Sequence, residues 1–155
     1  MDEGALERSV KSAERVVILL DALAHSPPGL SFSDLLISTD IPKSSLHGLL
    51  KTLLRRRIVA FDERSKTYMI GTKLWELAMA YTRQLQIVPL AWPDIEELSQ
   101  KVGETVQMGV LDGADIVYIA KAESRHPLQM VSHVGSRLPA YATAIGKALL
   151  AGLST

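Results

Sequence analysis

The chain has 155 residues, with 17 Lys+Arg against 17 Asp+Glu and no cysteine. That length holds one ordinary domain or two small ones, and a composition of 47% hydrophobic and 22% charged residues excludes global disorder. The missing cysteines exclude a disulfide scaffold, a thiolate metal site and a cysteine nucleophile, while the zero net charge weighs, at first sight, against a nucleic-acid partner.

In chain order, the first predicted element is a helix over residues 9–24, where Val10, Ala13, Val16, Val17, Leu20, Leu23 and Ala24 follow helical spacing. It stops at the breaker cluster His25-Ser26-Pro27-Pro28-Gly29. Ser31 followed by Asp34 has the form of a capping box, with Asp in place of Glu, and opens a short helix over 32–39. Asp40-Ile41-Pro42 interrupts it after two turns. Pro42 suits the first position of a third helix, over 42–57, with Leu46, Leu49, Leu50 and Leu53 as its buried stripe. Two β-prone runs, 58–61 and 67–71, flank the polar segment 62–66 and predict a hairpin. Helix, short helix, tight turn, helix and hairpin is the order of a winged helix-turn-helix.

Residues 72–85 read as a connecting helix with Leu74, Leu77, Ala78 and Tyr81 along one side. A further helix is predicted from near Pro93 to a C-cap at Gly103. Strands over 105–111 and 116–120 flank Asp112-Gly113-Ala114-Asp115, a hairpin signal. A third strand is expected over 128–134 and a helix over 142–153. The fold class is therefore α+β, organised as a DNA-binding domain (1–71), a linker helix (72–88) and a second, mixed domain (89–155).

Placing the charges on these elements changes their meaning. Between residues 43 and 66 stand seven cations (Lys43, Lys51, Arg55, Arg56, Arg57, Arg64 and Lys66) against two anions (Asp62 and Glu63), a local excess of five. Attraction to phosphate depends on the surface that docks, not on the total. Wound at 100° per residue, the third helix turns Ser44, Gly48, Lys51 and Arg55 away from its leucines, with Ser45, His47 and Thr52 at the edges. N-terminal side chains of a recognition helix reach base edges and later cations sit on phosphates. Ser44, Ser45 and His47 are thus candidate base readers. Lys43, Lys51, Arg55, Arg64 and Lys66 are candidate phosphate contacts, with Thr52 beside them. Read singly, such a charge run is more often a solvated face; the helix order and the wing favour the DNA reading.

Several stretches carry a resemblance. Ser9-Val10, Ile18-Leu19 and Leu23, then Ile41-Pro42-Lys43-Ser44-Ser45-Leu46-His47, then Tyr68-Met69-Ile70-Gly71, resemble the winged helix of the IclR family of bacterial transcription regulators. Gly103-Glu104-Thr105-Val106, Leu111-Asp112-Gly113 and the run from Leu138 to Ala148 resemble the start of that family's effector-binding domain. The resemblance extends over the chain from Ser9 onward. It implies a homodimer, often paired into a tetramer, on (pseudo)palindromic double-stranded DNA. It also implies a GAF-like C-terminal domain that binds a small molecule, commonly a carboxylic acid. Met130, Leu138, Ala144 and Ile145 fall where members line the effector pocket. Independently, Met130 on an alternating strand and Ala144-Ile145 at a helix start would supply an apolar wall and N–H donors suited to an anion. Taken alone, Met130 and Leu138 read equally as core. Two features depart from the family: Gly48 stands where members often carry Arg, and members continue for about another half-domain, so the effector pocket is expected to be incomplete in this chain.

Other chemistry finds little footing. Tyr141 to Ala148 contains Gly146-Lys147 but lacks the first Gly and the final Ser/Thr of a phosphate-binding loop. His25, His47, His126 and His133 offer no close ligand pair, so no metal or cofactor is expected. Asp94, Glu96 and Glu97 suit the start of a helix, and no Gly-x-Ser-x-Gly elbow is present. No apolar run reaches the roughly 18–20 residues of a membrane span. The charged N-terminus has no apolar core of a secretory signal, so a cytoplasmic location is expected. The expected function is a regulator, either a repressor or a dual regulator of a catabolic operon, and not an enzyme. Its rivals are a module whose winged helix meets protein and a small α+β enzyme.

Overall fold

The computed structural model describes residues 10–124 and 133–153, which divide between Tyr81 and Thr82 into two compact units. In the first unit, α1 (Lys11–Ala24), α2 (Phe32–Thr39) and α3 (Lys43–Arg55) precede the antiparallel pair β1 (Val59–Asp62) and β2 (Thr67–Ile70). The helices exist because their apolar residues meet in one core: Leu19, Leu23, Leu35, Ile41, Leu46, Leu50, Leu53 and Val59 are all buried there. Each such aliphatic side chain contributes about 1.5–3 kcal/mol by leaving water.

The capping box expected at Ser31 is present. Asp34 N donates to Ser31 Oγ (3.2 Å) and Ser31 N donates to an Asp34 carboxylate oxygen (3.1 Å). The Ser31 hydroxyl also donates to that carboxylate (2.6 Å), and this bond first, then the Ser31 N–H, holds the Asp34 carboxyl below its ordinary value. At the α2–α3 turn, Asp40 adopts the left-handed conformation (φ 52°) and buried Ile41 anchors the link. The Thr39 hydroxyl, also buried, donates to Leu35 O (2.6 Å). Pro42 is the N-cap of α3 instead of its first residue.

Two details of the periodicity reading are corrected. In α1 the buried residues are Leu19 and the expected Leu23, whereas Val17 is 58% exposed and Val10, Ala13 and Ala24 face solvent. The stripe is 16-19-20-23, rotated from the one expected, because several apolar positions on this helix satisfy helical spacing equally. In α3 Leu49 is only half-buried, at the edge of the leucine stripe.

α4 (Thr72–Gln84) starts in the first unit and crosses the division; none of its side chains is buried. In the second unit, α5 (Ile87–Val102) begins six residues before the expected start at Pro93, which lies inside it. A proline inside a helix removes one N–H bond, and here the sequence signal for a start marks an interior position. Gly103 caps α5 in the left-handed conformation (φ 74°), as expected. β3 (Val106–Asp112) and β4 (Asp115–Ala122) form the expected hairpin, with a register shift at Met108/Gly109. Gly113 takes the positive φ (63°) that a two-residue loop demands of its first position.

β5 (Arg137–Pro139) pairs with β4 and completes the three-stranded sheet. The strand expected over 128–134 falls mainly outside the described residues; His133 and Val134, at its end, are not strand. A 3-10 turn (Ala140–Ala142) leads into α6 (Ala144–Ala151), so the last helix starts two residues later than read. α5 covers Ala120 and Ala122 with Ile95, and α6 joins Ile116, Tyr118 and Ala140 through Ile145 and Leu149. The mixed α+β class is observed.

Candidate nucleic-acid interface and ligand pocket

α3 divides its residues by face. Leu46, Leu50 and Leu53 point into the core; Lys43, Ser44, His47, Gly48, Lys51, Thr52 and Arg55 are exposed. The first N–H groups of the helix, at Lys43, Ser44 and Ser45, precede the first i−4 bond, from Leu46 N to Pro42 O (2.9 Å). Cations, hydroxyls and an imidazole therefore share one exposed stripe with a positive helix terminus.

Two clefts border this stripe. One, of about 910 Å³, is lined by Phe32, Lys43, Ser44, His47 and Tyr68. Tyr68 is placed by β2, by its tilted ring contact with Phe61 (centroids 4.7 Å apart, planes at 47°) and by a reciprocal pair of backbone hydrogen bonds with Leu30. The other, of about 340 Å³, is lined by Ser12, Arg15, Ser44, Ser45, Gly48, Leu49 and Thr52. Here Arg15 Nη1 of α1 donates to Ser45 Oγ (3.1 Å), and Thr52 Oγ1 donates to Gly48 O (3.0 Å). A Cβ added to Gly48 would meet no atom within 4 Å.

The wing carries Arg64 and Lys66 at its exposed tip. The Ser65 hydroxyl and the Arg64 N–H donate to the Asp62 carboxylate at 2.7 and 2.9 Å and hold its carboxyl below the ordinary value. Lys66 pairs with Glu63 (2.7 Å) with both side chains in solvent, a bond a phosphate can displace at little cost.

The structure thus brings all nine candidate DNA-binding residues onto α3 and the wing tip, with Ser45 the one half-buried member. Arg15, Phe32 and Tyr68 join them without having been singled out from sequence. Tyr68 stood within a quoted family stretch, but Arg15 is 30 positions from its partner, and no local pattern announces that contact.

In the second unit, Thr143 caps α6 by accepting from Gly146 N (2.9 Å), and the N–H groups of Ala144 and Ile145 precede the first i−4 bond of the helix, from Lys147 N to Thr143 O. Ala144 is exposed, and Ile145 is half-buried against the Ile116/Tyr118 cluster. Leu138 lies on β5 and is 40% exposed; Met130 lies outside the described residues. Arg137, beside Leu138, clasps the hairpin through Asp112 and Asp115, and the Asp112 carboxylate in particular raises its pKa. Gly146 packs so tightly on Ala140 that a Cβ would overlap the Ala140 carbonyl. Among the described residues no group of three or more His, Asp or Glu side chains could hold a metal ion, and no helix is long and apolar enough to cross a membrane.

Comparison with known proteins follows the same division. A family model described as the IclR helix-turn-helix domain matches residues 12–63, and one described as bacterial transcriptional regulator IclR C-terminal matches residues 79–155. The chain is 35% identical over 144 residues to the HTH-type transcriptional regulator XynR of Escherichia coli K12, covering 93% of this chain and 57% of that protein. It is 30% identical over 148 residues to the HTH-type transcriptional repressor AllR of the same strain, covering 96% and 55%. The chain thus spans little more than half the length of these relatives. Among solved structures, the Thermotoga maritima IclR aligns with a TM-score of 0.73 at 27% identity, over 92% of this chain and 57% of that one. An IclR homolog from Microbacterium hydrocarbonoxydans, complexed with 4-hydroxybenzoate, shares the fold with a TM-score of 0.81 at 24% identity, over 93% and 60%.

Proposed function

The chain belongs to the IclR family of bacterial transcriptional regulators, and on that premise we propose that it is a sequence-specific DNA-binding regulator whose affinity for an operator is set by a small-molecule effector. The observation that carries this reading is the segregation on α3: three buried leucines fix the helix, and the opposite face is given over to Lys43, Ser44, His47, Lys51, Thr52 and Arg55. Ser44, Ser45 and His47 read base edges in the major groove. Lys43, Lys51 and Arg55 on the helix, with Arg64 and Lys66 on the wing, neutralise phosphates.

The regulator works in the cytoplasm as a homodimer, pairing further into a tetramer, on a palindromic operator of a catabolic operon, as a repressor or dual regulator and without catalysis. The effector is a carboxylic acid held against Leu138, Met130 and the Ala144-Ile145 helix start, whose N–H groups suit a carboxylate. Its binding shifts the spacing of paired recognition helices.

The test is selection from a pool of random DNA duplexes, followed by anisotropy with the enriched sequence against a scrambled one. We expect binding that resists competitor DNA and weakens steeply with salt, with a preference of roughly 10³-fold or more for the enriched site. Equal affinity for both duplexes would remove sequence reading, and no affinity for either would favour a winged helix that meets protein.

A further inference from the structure

The hydroxyl groups on the recognition helix are not equivalent, and their hydrogen-bond partners set what each offers to DNA. Arg15 is a donor without an acceptor, so the 3.1 Å contact fixes Ser45 Oγ as the acceptor in that bond. Among the described residues no group takes the hydroxyl proton of the half-buried Ser45, which is left for an outside acceptor. Thr52 is the reverse case. Its hydroxyl proton is spent on the Gly48 carbonyl, leaving the oxygen lone pairs exposed. Ser45 and Thr52 stand seven residues apart on α3, so they share one side of the helix to within about 20° and lie about 10.5 Å apart along it. A helix lying in the major groove follows the groove, so two residues on one side of it and two turns apart face different base pairs. Both residues line the same cleft, together with Arg15 and Gly48.

We propose that Arg15 is a positioning residue that holds Ser45 as a hydrogen-bond donor, and that Ser45 and Thr52 together read a donor-then-acceptor pattern in the major groove. Ser45 then selects an edge presenting an acceptor, N7 or O6 of guanine, N7 of adenine or O4 of thymine. Thr52 selects an edge presenting an amino group, N6 of adenine or N4 of cytosine, at a different base pair. This assignment rests on the DNA-reading function proposed above. Arg15 itself, on α1, makes no base contact; it acts by tying the side chain of the recognition helix to a fixed neighbour.

The experiment repeats the duplex selection with the full chain and with Arg15→Ala, Arg15→Lys, Ser45→Ala and Thr52→Val. Ser45→Ala and Arg15→Ala are expected to lose about ten-fold preference at one and the same base pair of each half-site and to keep the other preferences. Thr52→Val loses preference at a second, different base pair, and Arg15→Lys, still a pure donor, retains the first. Weakening the acceptor at the first pair, with a 7-deazapurine or 4-thiothymine, lowers wild-type affinity and leaves Ser45→Ala unchanged. Arg15→Ala that weakens every sequence alike, with a salt slope shallower by about one, makes Arg15 a phosphate contact and overturns the assignment. So does an Arg15→Ala profile identical to wild type. Should Arg15→Ala not fold, Arg15→Lys decides for Arg15, and Ser45→Ala against Thr52→Val decides for the pattern. Wild-type protein that enriches no sequence defeats the parent reading, a different outcome from wild-type enrichment that the variants leave untouched.

Discussion

The two candidate sites relate to the packing of their own units in opposite ways. On α3 the residues assigned to DNA face solvent and those assigned to stability face the core, so one helix serves two purposes with little overlap. In the second unit one residue assigned to the effector, Ile145, is also a packing residue, while Ala144 is exposed. Ile145 joins the Ile116/Tyr118/Ala140 cluster, its neighbour Gly146 lies against the Ala140 backbone, and Leu138 sits on a strand paired to β4. A recognition surface needs only a rigid support behind it, whereas a pocket for a small molecule is walled by the same side chains that build the core. Function and stability should therefore separate under mutation in the first unit and move together in the second.

The largest effect tests the support. Leu46→Ala, at a fully buried position of α3, should cost about 2–5 kcal/mol in urea unfolding and take DNA binding with it. A loss below about 1 kcal/mol would mean that the buried face does not hold the recognition helix. Next, Gly146→Ala forces a methyl group into the Ala140 carbonyl and should cost about 1–3 kcal/mol while also disturbing effector response. Intact stability with altered response would break the comparison in the second unit.

Gly48→Ala sharpens it in the first. The added methyl meets nothing within 4 Å, so helix propensity alone should raise stability by about 0.5–1 kcal/mol. If DNA comes close to this bare stretch of helix, operator affinity falls in the same protein, giving opposite signs for the two measurements. Equal or improved DNA binding would place the closest approach elsewhere on α3.

The smallest effect is electrostatic. The Asp34 carboxyl lies below its ordinary value of 3.8 because it accepts from Ser31. A depressed pKa in the folded state means that the contribution is complete above the ordinary value and is lost as pH falls through the folded one. Wild type and Asp34→Asn should therefore converge in stability as pH falls below 3.8, and a gap that stays constant through that fall would remove the capping role.

Much of the first unit was legible in the sequence, because its signals are local. A Ser31–Asp34 box, a proline at the α3 start and a leucine stripe each act over three or four residues, and the structure places α2 and α3 within two residues of the expected limits. What escaped depends on tertiary context. Leu19 could not be preferred over Val17 without knowing which side of α1 meets α2, and Arg15 has meaning only beside Ser45. In the second unit Pro93 was a misleading start signal, since a proline is tolerated inside α5. β5 is three residues long and ends in proline, too short to show alternation. The candidate effector residues came from resemblance more than from pattern, and Ile145 illustrates why: as an apolar residue at a helix start it carries no local mark that separates a pocket wall from core.

The central claim is that the exposed face of α3 meets DNA phosphates and bases, and the salt dependence of Lys51→Ala/Arg55→Ala tests it most directly. Both side chains are exposed, so the folded double variant should stay within about 0.5 kcal/mol of wild-type stability. Its affinity for the selected duplex should fall about ten-fold or more at moderate salt, and the slope of log K against log salt should become shallower by about two. A folded double variant with unchanged affinity and unchanged slope would contradict the assignment of this face to DNA.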